Sequence, residues 1–381
     1  MKLVVPRETR SGESRVGLVP ESVKKLVQAG ATIVVQRGAG EAAAFPDAAY
    51  EAAGATLESD AGKLLAEGDF VCKVNAPSVA EAEQMRPGAM LIGSLYPSRH
   101  LAAVRKLAAR NITSFATDLI PRITRAQSMD TLSSMANVAG YRAVLLAATA
   151  LPRYFPMLMT AAGTVTPAKV FVIGAGVAGL QAIATAKRLG AAITATDVRP
   201  EVKEQIESLG AKYVGIELKE SAQAGGGYAK ELSAEDQARQ AQMLADQCAV
   251  VDVVITTALI RGVFAPKLIK AETVQKMKPG SVIVDLAAEG GGNCELTEPD
   301  RTVVKHGVTI LGPTNLPSEV GHHASLLFSR NLTTFFLTFW KDKQFNLDLN
   351  DDILKGATLT HAGQVLHAPT REAIEKAGPN A

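Results

Sequence analysis

The apolar run Val170–Ile173 passes directly into Gly174-Ala175-Gly176-Val177-Ala178-Gly179, then into a helical stretch, a second apolar run and a closing acid, Asp197. This order of strand, glycine turn, helix, strand and acid admits few folds other than a βαβ unit shaped to hold a dinucleotide. Gly174 permits the sharp turn out of the strand. Gly176 lets backbone approach a pyrophosphate, and Gly179 lets the helix pack close to the sheet. Val177 opens the helix, whose unbonded N–H groups and positive dipole end favour an anion. Asp197, 18 residues beyond Gly179, is placed to accept hydrogen bonds from a ribose 2′-hydroxyl, with Val198 beside it. A 2′-phosphate there would meet like-charge repulsion of about 1–4 kcal/mol at roughly 4 Å, so the site is expected to prefer NAD(H) to NADP(H). Arg199 is the dissenting residue, because an arginine nearby can accommodate a 2′-phosphate. With Asp197 present, Arg199 reads instead as a solvated loop residue.

A chain of 381 residues exceeds one ordinary core and is expected to form two domains. It is 47% hydrophobic and 20% charged with a net charge of +2, so charge implies neither a nucleic-acid partner nor a polybasic membrane contact. Cys72, Cys248 and Cys294 form no Cys-x-x-Cys, and no secretory pattern opens the chain; reduced thiols acting as small buried hydrophobes, in the cytoplasm, are expected. The six histidines show no metal spacing. Ser325–Trp340 is apolar but contains Arg330 and Asn331 and is shorter than a bilayer requires; it is expected to be a packed helix returning the chain to the first lobe.

Strand-like runs at Lys2–Pro6, Ala31–Gln36, Phe70–Val74, Met90–Ile92 and Ile112–Phe115 alternate with helical stretches near Pro20–Ala29, Asp60–Ala66 and Arg99–Ala109. Such alternation predicts a parallel, doubly wound sheet. A helix over Ser134–Ala150 bridges to a second lobe carrying the dinucleotide unit and runs at Tyr213–Ile216, Val250–Thr256, Ser281–Leu286 and Val308–Leu311. The expected architecture is α/β, with two Rossmann-like doubly wound parallel-sheet domains flanking a cleft. Residues 1–133 plus 325–381 form one domain, and 134–324 form the nucleotide-binding domain. The polar interval from about 218 to 247, with Gly225-Gly226-Gly227-Tyr228 inside it, is either a hinged flap tipped by Tyr228 or an inert flexible loop.

Pro121–Ser134 reads Pro-Arg-Ile-Thr-Arg-Ala-Gln-Ser-Met-Asp-Thr-Leu-Ser-Ser. Arg122, Gln127, Asp130 and Ser133 could hydrogen-bond a ribose, a carboxamide or a second nucleotide's phosphate. Capping of the next helix would by itself explain Asp130 or Ser133, but not Arg122 or Gln127.

With Val5-Pro6-Arg7-Glu8, Arg15-Val16, Pro121–Asp130, Met159–Thr164, Gly174–Lys187, Gly226–Lys230, Thr256–Ile260 and Asp285–Asn293, nearly the whole chain resembles the soluble NAD(H)-binding component, domain I or alpha subunit, of proton-translocating nicotinamide nucleotide transhydrogenases. The resemblance implies that Arg122, Gln127, Asp130 and Ser133 form a loop contacting NAD(H) and facing a partner's NADP(H). It implies that Tyr228 rides a mobile flap, and that Val177, Asp197, Val198, Gly227, Gln240 and Leu259 contact the nucleotide. It further implies a homodimer held at the cytoplasmic face of a membrane by an NADP(H)-binding component and a membrane-spanning proton-channel component on other polypeptides.

The chain is also similar to alanine dehydrogenases, whose lysine and histidine handle the substrate as acid/base and electrophile. At those positions stand Asn75 and Tyr96, although Arg15, matching that family's carboxylate clamp, is present. Hydride exchange between two nicotinamides delivers no proton to a heteroatom and needs neither group. It needs two rings at near-attack distance, away from water.

Overall fold

The computed structural model describes residues 1–216, 233–259 and 265–378. The chain divides into two compact units, Met1–Met135 with Pro317–Ala381, and Ala136–Leu316. Re-entry into the first unit comes at Pro317, ahead of Ser325, because Ser318 already bonds there: its hydroxyl donates to Glu13 Oε1 at 2.5 Å and accepts the Ser14 N–H at 2.9 Å.

Among the described residues, the sheet of the first unit runs in the order Gln364–Val365, Thr358–His361, Thr113–Ala116, Met90–Ser94, Phe70–Asn75, Lys2–Val5, Thr32–Gln36 and Thr56–Glu58. The six strands drawn from the first 135 residues are parallel, and the two late ones are antiparallel. Phe70–Asn75 is buried nearly throughout, as a strand covered on both faces must be. Lys2–Val5 stops short of Pro6, which lacks an N–H for the ladder. Helix Pro20–Gln28 starts on a proline at its first turn, and Val79–Gln84 on a reciprocal Ser78–Glu81 capping box. Helix Gly321–Phe339 packs into this unit: Phe336 meets Phe70 edge-on at 5.4 Å, Phe335 lies 5.3 Å from Phe115, and Trp340 Nε1 donates to the Ala29 carbonyl at 2.8 Å.

In the second unit the described sheet is ordered Lys212–Tyr213, Ala192–Thr196, Lys169–Ile173, Val253–Thr256, Val282–Asp285, Val308–Leu311 and Thr302–Lys305, parallel except for the last. Lys169–Ile173 is flanked by the next strand on one side and a later one on the other. The chain reverses its direction of winding there, and in such sheets the crevice beyond the strand ends at this point is where ligands bind. The first unit repeats the reversal at Lys2–Val5, between Thr32–Gln36 and Phe70–Asn75.

The bridging helix runs Thr131–Ala150, three residues earlier than its sequence pattern indicated, because Asp130 Oδ1 accepts the Ser133 N–H at 2.8 Å and caps it. The polar interval from about 218 to 247 divides in two. Residues 217–232, with Gly227 and Tyr228, lie outside the described residues, whereas Ala234–Val250 is a helix begun by the Ser233 cap. Leu244 and Cys248, four apart on one face, bury it, so this half is a regular crossover rather than flap. The three cysteines are buried, and burial pushes the Cys72 and Cys248 thiols up to about 12. Among the described residues no helix is long and apolar enough to cross a membrane.

Helices Thr131–Ala150 and Val177–Arg188 meet within the second unit through a glycine. A Cβ on Gly140 would lie 2.1 Å from the Ala178 carbonyl oxygen. Gly140→Ala is therefore expected to destabilise by about 1–3 kcal/mol, reversing the gain of roughly 1 kcal/mol that alanine brings inside a free helix. Thermal unfolding of the two proteins checks this.

Candidate functional site

The three fingerprint glycines have three different surroundings. Gly174 takes φ +89°, and a Cβ there would stand 2.8 Å from Thr257 Oγ1; that hydroxyl donates to the Gly174 carbonyl at 2.9 Å. A Cβ on Gly179 would come within 1.9 Å of the same carbonyl, so the helix start is pressed against the turn. Gly176 meets nothing within 4 Å and stays open for another molecule's approach. Val177, the first helical residue, is exposed beside it.

Asp197 follows the strand Ala192–Thr196. Its Oδ2 accepts the Ala175 N–H of the glycine turn at 2.8 Å, which ties the acid to the phosphate end of the site. Arg199 is not a solvated loop residue. Its Nε donates to Asp197 Oδ1 and its Nη2 to Oδ2, both at 2.9 Å, and its side chain is only 15% exposed. The pairing follows from the turn after Thr196, where the Arg199 N–H also donates to Oδ1 at 2.9 Å and folds the chain back on the carboxylate. Burial alone would push the Asp197 carboxyl up, but the Arg199 and Ala175 donors and the Arg199 charge hold it below its ordinary range.

Beside the acid is a narrow recess of about 10 Å³, room for about one water, lined by Thr196, Asp197, Val198, Ile216, Gln240 and Met243. It gathers three residues expected at the nucleotide, Asp197, Val198 and Gln240. Gln240 reaches it from the crossover helix. Ile216 and Met243 add its apolar walls.

A further group was not singled out from sequence. Asn293 Oδ1 accepts the Ala258 N–H at 3.0 Å, and its Nδ2 donates to the carbonyls of Ala258 and Pro266 at 2.9 Å. This fixes the backbone immediately before Leu259, which is exposed. Asp285, fully buried, accepts from Thr256 Oγ1, Thr297 Oγ1 and the N–H groups of Ala287 and Cys294 at 2.7–3.0 Å and holds the loop that carries Asn293. An acid closing an apolar strand was the available signal.

In the first unit, Arg122 and Gln127 are exposed, Gln127 on the short 3-10 helix Thr124–Met129. Asp130 caps the next helix through the Ser133 N–H and also accepts the Ser133 hydroxyl at 2.7 Å.

The first unit's reversal point is filled by its own charges. Arg15 Nε and Nη2 fork onto Glu13, each at 2.7 Å, and Asn75 Nδ2 donates to Glu13 at 3.0 Å and to Glu8 at 3.2 Å. Lys73, fully buried, lies 2.8 Å from Glu81 and 3.6 Å from Glu8. Burial pushes the Glu13 carboxyl up, but Arg15, Asn75 and Ser318 together bring it down to about 2. Tyr96 sits half exposed at φ +38°, with Arg99 5.5 Å from its ring.

A glycine turn at the reversal of a parallel sheet, with a neighbouring strand-end carboxylate beside a small recess, defines a dinucleotide-binding α/β protein. The alanine dehydrogenase/PNT family matches it throughout, the N-terminal domain over residues 4–139 and the C-terminal domain over 143–368, and the chain belongs to that family. It is 50% identical over 377 residues to an NAD(P) transhydrogenase subunit alpha polypeptide of Rhodospirillum rubrum, covering 96% of this chain and 98% of that one. A transhydrogenase crystal structure from Sinorhizobium meliloti superposes with a TM-score of 0.88 at 45% identity, over 96% of this chain and all of that one. Similarity to an alanine dehydrogenase, from Halomonas elongata, is lower, at 33% over 384 residues, covering 98% of this chain and 97% of that one.

Gly176→Ala is expected to unfold like the parent yet bind NADH at least tenfold more weakly, while Gly179→Ala loses thermal stability as well. Parallel melting and NADH titrations separate the two. For Glu13, a folded pKa of about 2 against an ordinary 4.5 means stabilisation present above pH 4.5 and lost as pH falls toward 2, worth about 3 kcal/mol. Glu13→Gln should be less stable at neutral pH and lose less between pH 4.5 and 2, as denaturant unfolding at several pH values would reveal.

Proposed function

We propose that this chain is the NAD(H)-binding component of a proton-translocating transhydrogenase, exchanging hydride between NADH and NADP⁺ bound on a partner component. The observation that carries the reading is the glycine turn tied through Ala175 to Asp197, beside the recess that Gln240 completes. Gly176 leaves room for a pyrophosphate, and the adjoining helix N-terminus offers it N–H donors. Asp197 orients the adenosine ribose. The bound nicotinamide supplies a carbon that gives or takes hydride.

What the protein adds is position. Asn293 fixes Ala258, and with it the start of the Leu259 segment expected at the nucleotide. The role of Arg122, Gln127, Asp130 and Ser133 as the loop facing the partner's NADP(H) is supported by the likeness of that segment to the family's. Tyr228 and Gly227 are proposed for the flap on the same ground. No general acid or base is required. Membrane attachment, proton coupling and pairing into a homodimer would come through the partner components and a second copy, a reading in keeping with the subunit name of the Rhodospirillum rubrum relative.

An amino-acid dehydrogenase activity is disfavoured by the same first-unit geometry. Arg15 forks onto Glu13, and the amide of Asn75 stands where a lysine acid/base would be needed.

The test is hydride transfer from NADH, measured with pyruvate plus ammonium and then with an added NADP-binding transhydrogenase component. Activity only with the second supports the proposal; oxidation with the keto acid alone overturns it. Arg122→Ala should lower transfer in the reconstituted system by roughly tenfold or more through lost positioning. An unchanged rate would remove Arg122 from the mechanism.

A further inference from the structure

A carboxylate offers about four lone-pair positions. Those of Asp197 are all taken: Oδ1 by the Arg199 N–H and Nε, Oδ2 by the Ala175 N–H and Arg199 Nη2. Two of the four donors are backbone groups that fix the carboxylate in place. The other two belong to one planar, partly buried guanidinium whose paired N–H groups present the acid with the pattern that adjacent ribose hydroxyls would offer. A ribose therefore cannot use Asp197 while Arg199 stays where it is.

We propose that Arg199 is the access and specificity residue of the nucleotide site: it occupies the ribose-accepting oxygens of Asp197 and must turn away for NAD(H) to bind. This rests on the reading of the site as an NAD(H) site. The geometry gives the residue two effects. It weakens NADH, since every binding event breaks a bidentate charged pair that water only partly replaces. It also softens the rejection of a 2′-phosphate, since Asp197 is neutralised while the fork is closed, and the released guanidinium remains two residues away to meet added negative charge. Arg199 thus lowers discrimination between NAD(H) and NADP(H) instead of setting it, and Asp197 acts as a full selector only without it.

The experiment titrates NADH and NADPH into the intact protein and into Arg199→Met, which keeps the apolar stem and removes the donors. Arg199→Lys keeps charge without the fork. The expected result is NADH binding at least threefold tighter in R199M, a larger NADPH-to-NADH ratio of dissociation constants, and R199K between the two. The gain must run through the acid: in the Asp197→Asn background, R199M should no longer tighten NADH, a coupling that a general packing role for Arg199 would not produce. NADH affinity unchanged or weaker in R199M, with the wild type binding normally, overturns the proposal and leaves Arg199 a mere support for Asp197. No NADH binding by the wild type overturns it together with the reading of the site.

Discussion

The second unit depends on one backbone approach: helix Val177–Arg188 begins so close to the end of strand Lys169–Ile173 that residue 179 has no room for a side chain, 1.9 Å separating a Cβ from the Gly174 carbonyl. That approach aims the first N–H groups of the helix at the crevice beyond the strand. The same carbonyl takes the Thr257 hydroxyl, so the segment leading to Leu259 is drawn toward the turn. Asp197 bonds to the turn from the other side through Ala175. Three strands' ends are thus referred to a single peptide group, and the recess beside Asp197 inherits its position from it.

The two units show how little topology decides by itself. Both sheets reverse their winding at a central strand, and both place loops there that could hold a ligand. In the second unit the reversal is left open at Gly176 and provided with a carboxylate. In the first it is closed by Arg15 on Glu13, by Lys73 on Glu81 and by the bridging amide of Asn75. Such buried pairs are weak as sources of stability relative to an apolar core, but removing one partner leaves an uncompensated charge. The function of each crevice is written in side chains and not in strand order.

The glycine turn, its helix and Asp197 were legible because their constraints act between near neighbours: a positive φ, a missing Cβ and a strand-end acid all leave marks within a single βαβ unit. The bridging helix was legible too, though its start was set by the Asp130 cap and not by its apolar pattern. The orientation of Arg199 was not, since a residue two places from an acid folds back or points away according to a turn that composition does not encode. Asn293 and Asp285 were hidden for another reason. They act on groups 29–35 positions distant, the Thr256 hydroxyl and the Ala258 backbone, and only the finished sheet brings the partners together.

Glu13 carries one more implication. Its pocket is completed by the Ser318 hydroxyl, and the aromatic layer over the same sheet is supplied by Phe335, Phe336 and Phe345, all from beyond the second unit. A ribosome adding about 5–20 residues per second would deliver the second unit whole, as one continuous stretch, while the first waited for its closing segment. The nucleotide-binding half would be born finished, and the half that precedes it in sequence would be the last to leave the care of chaperones.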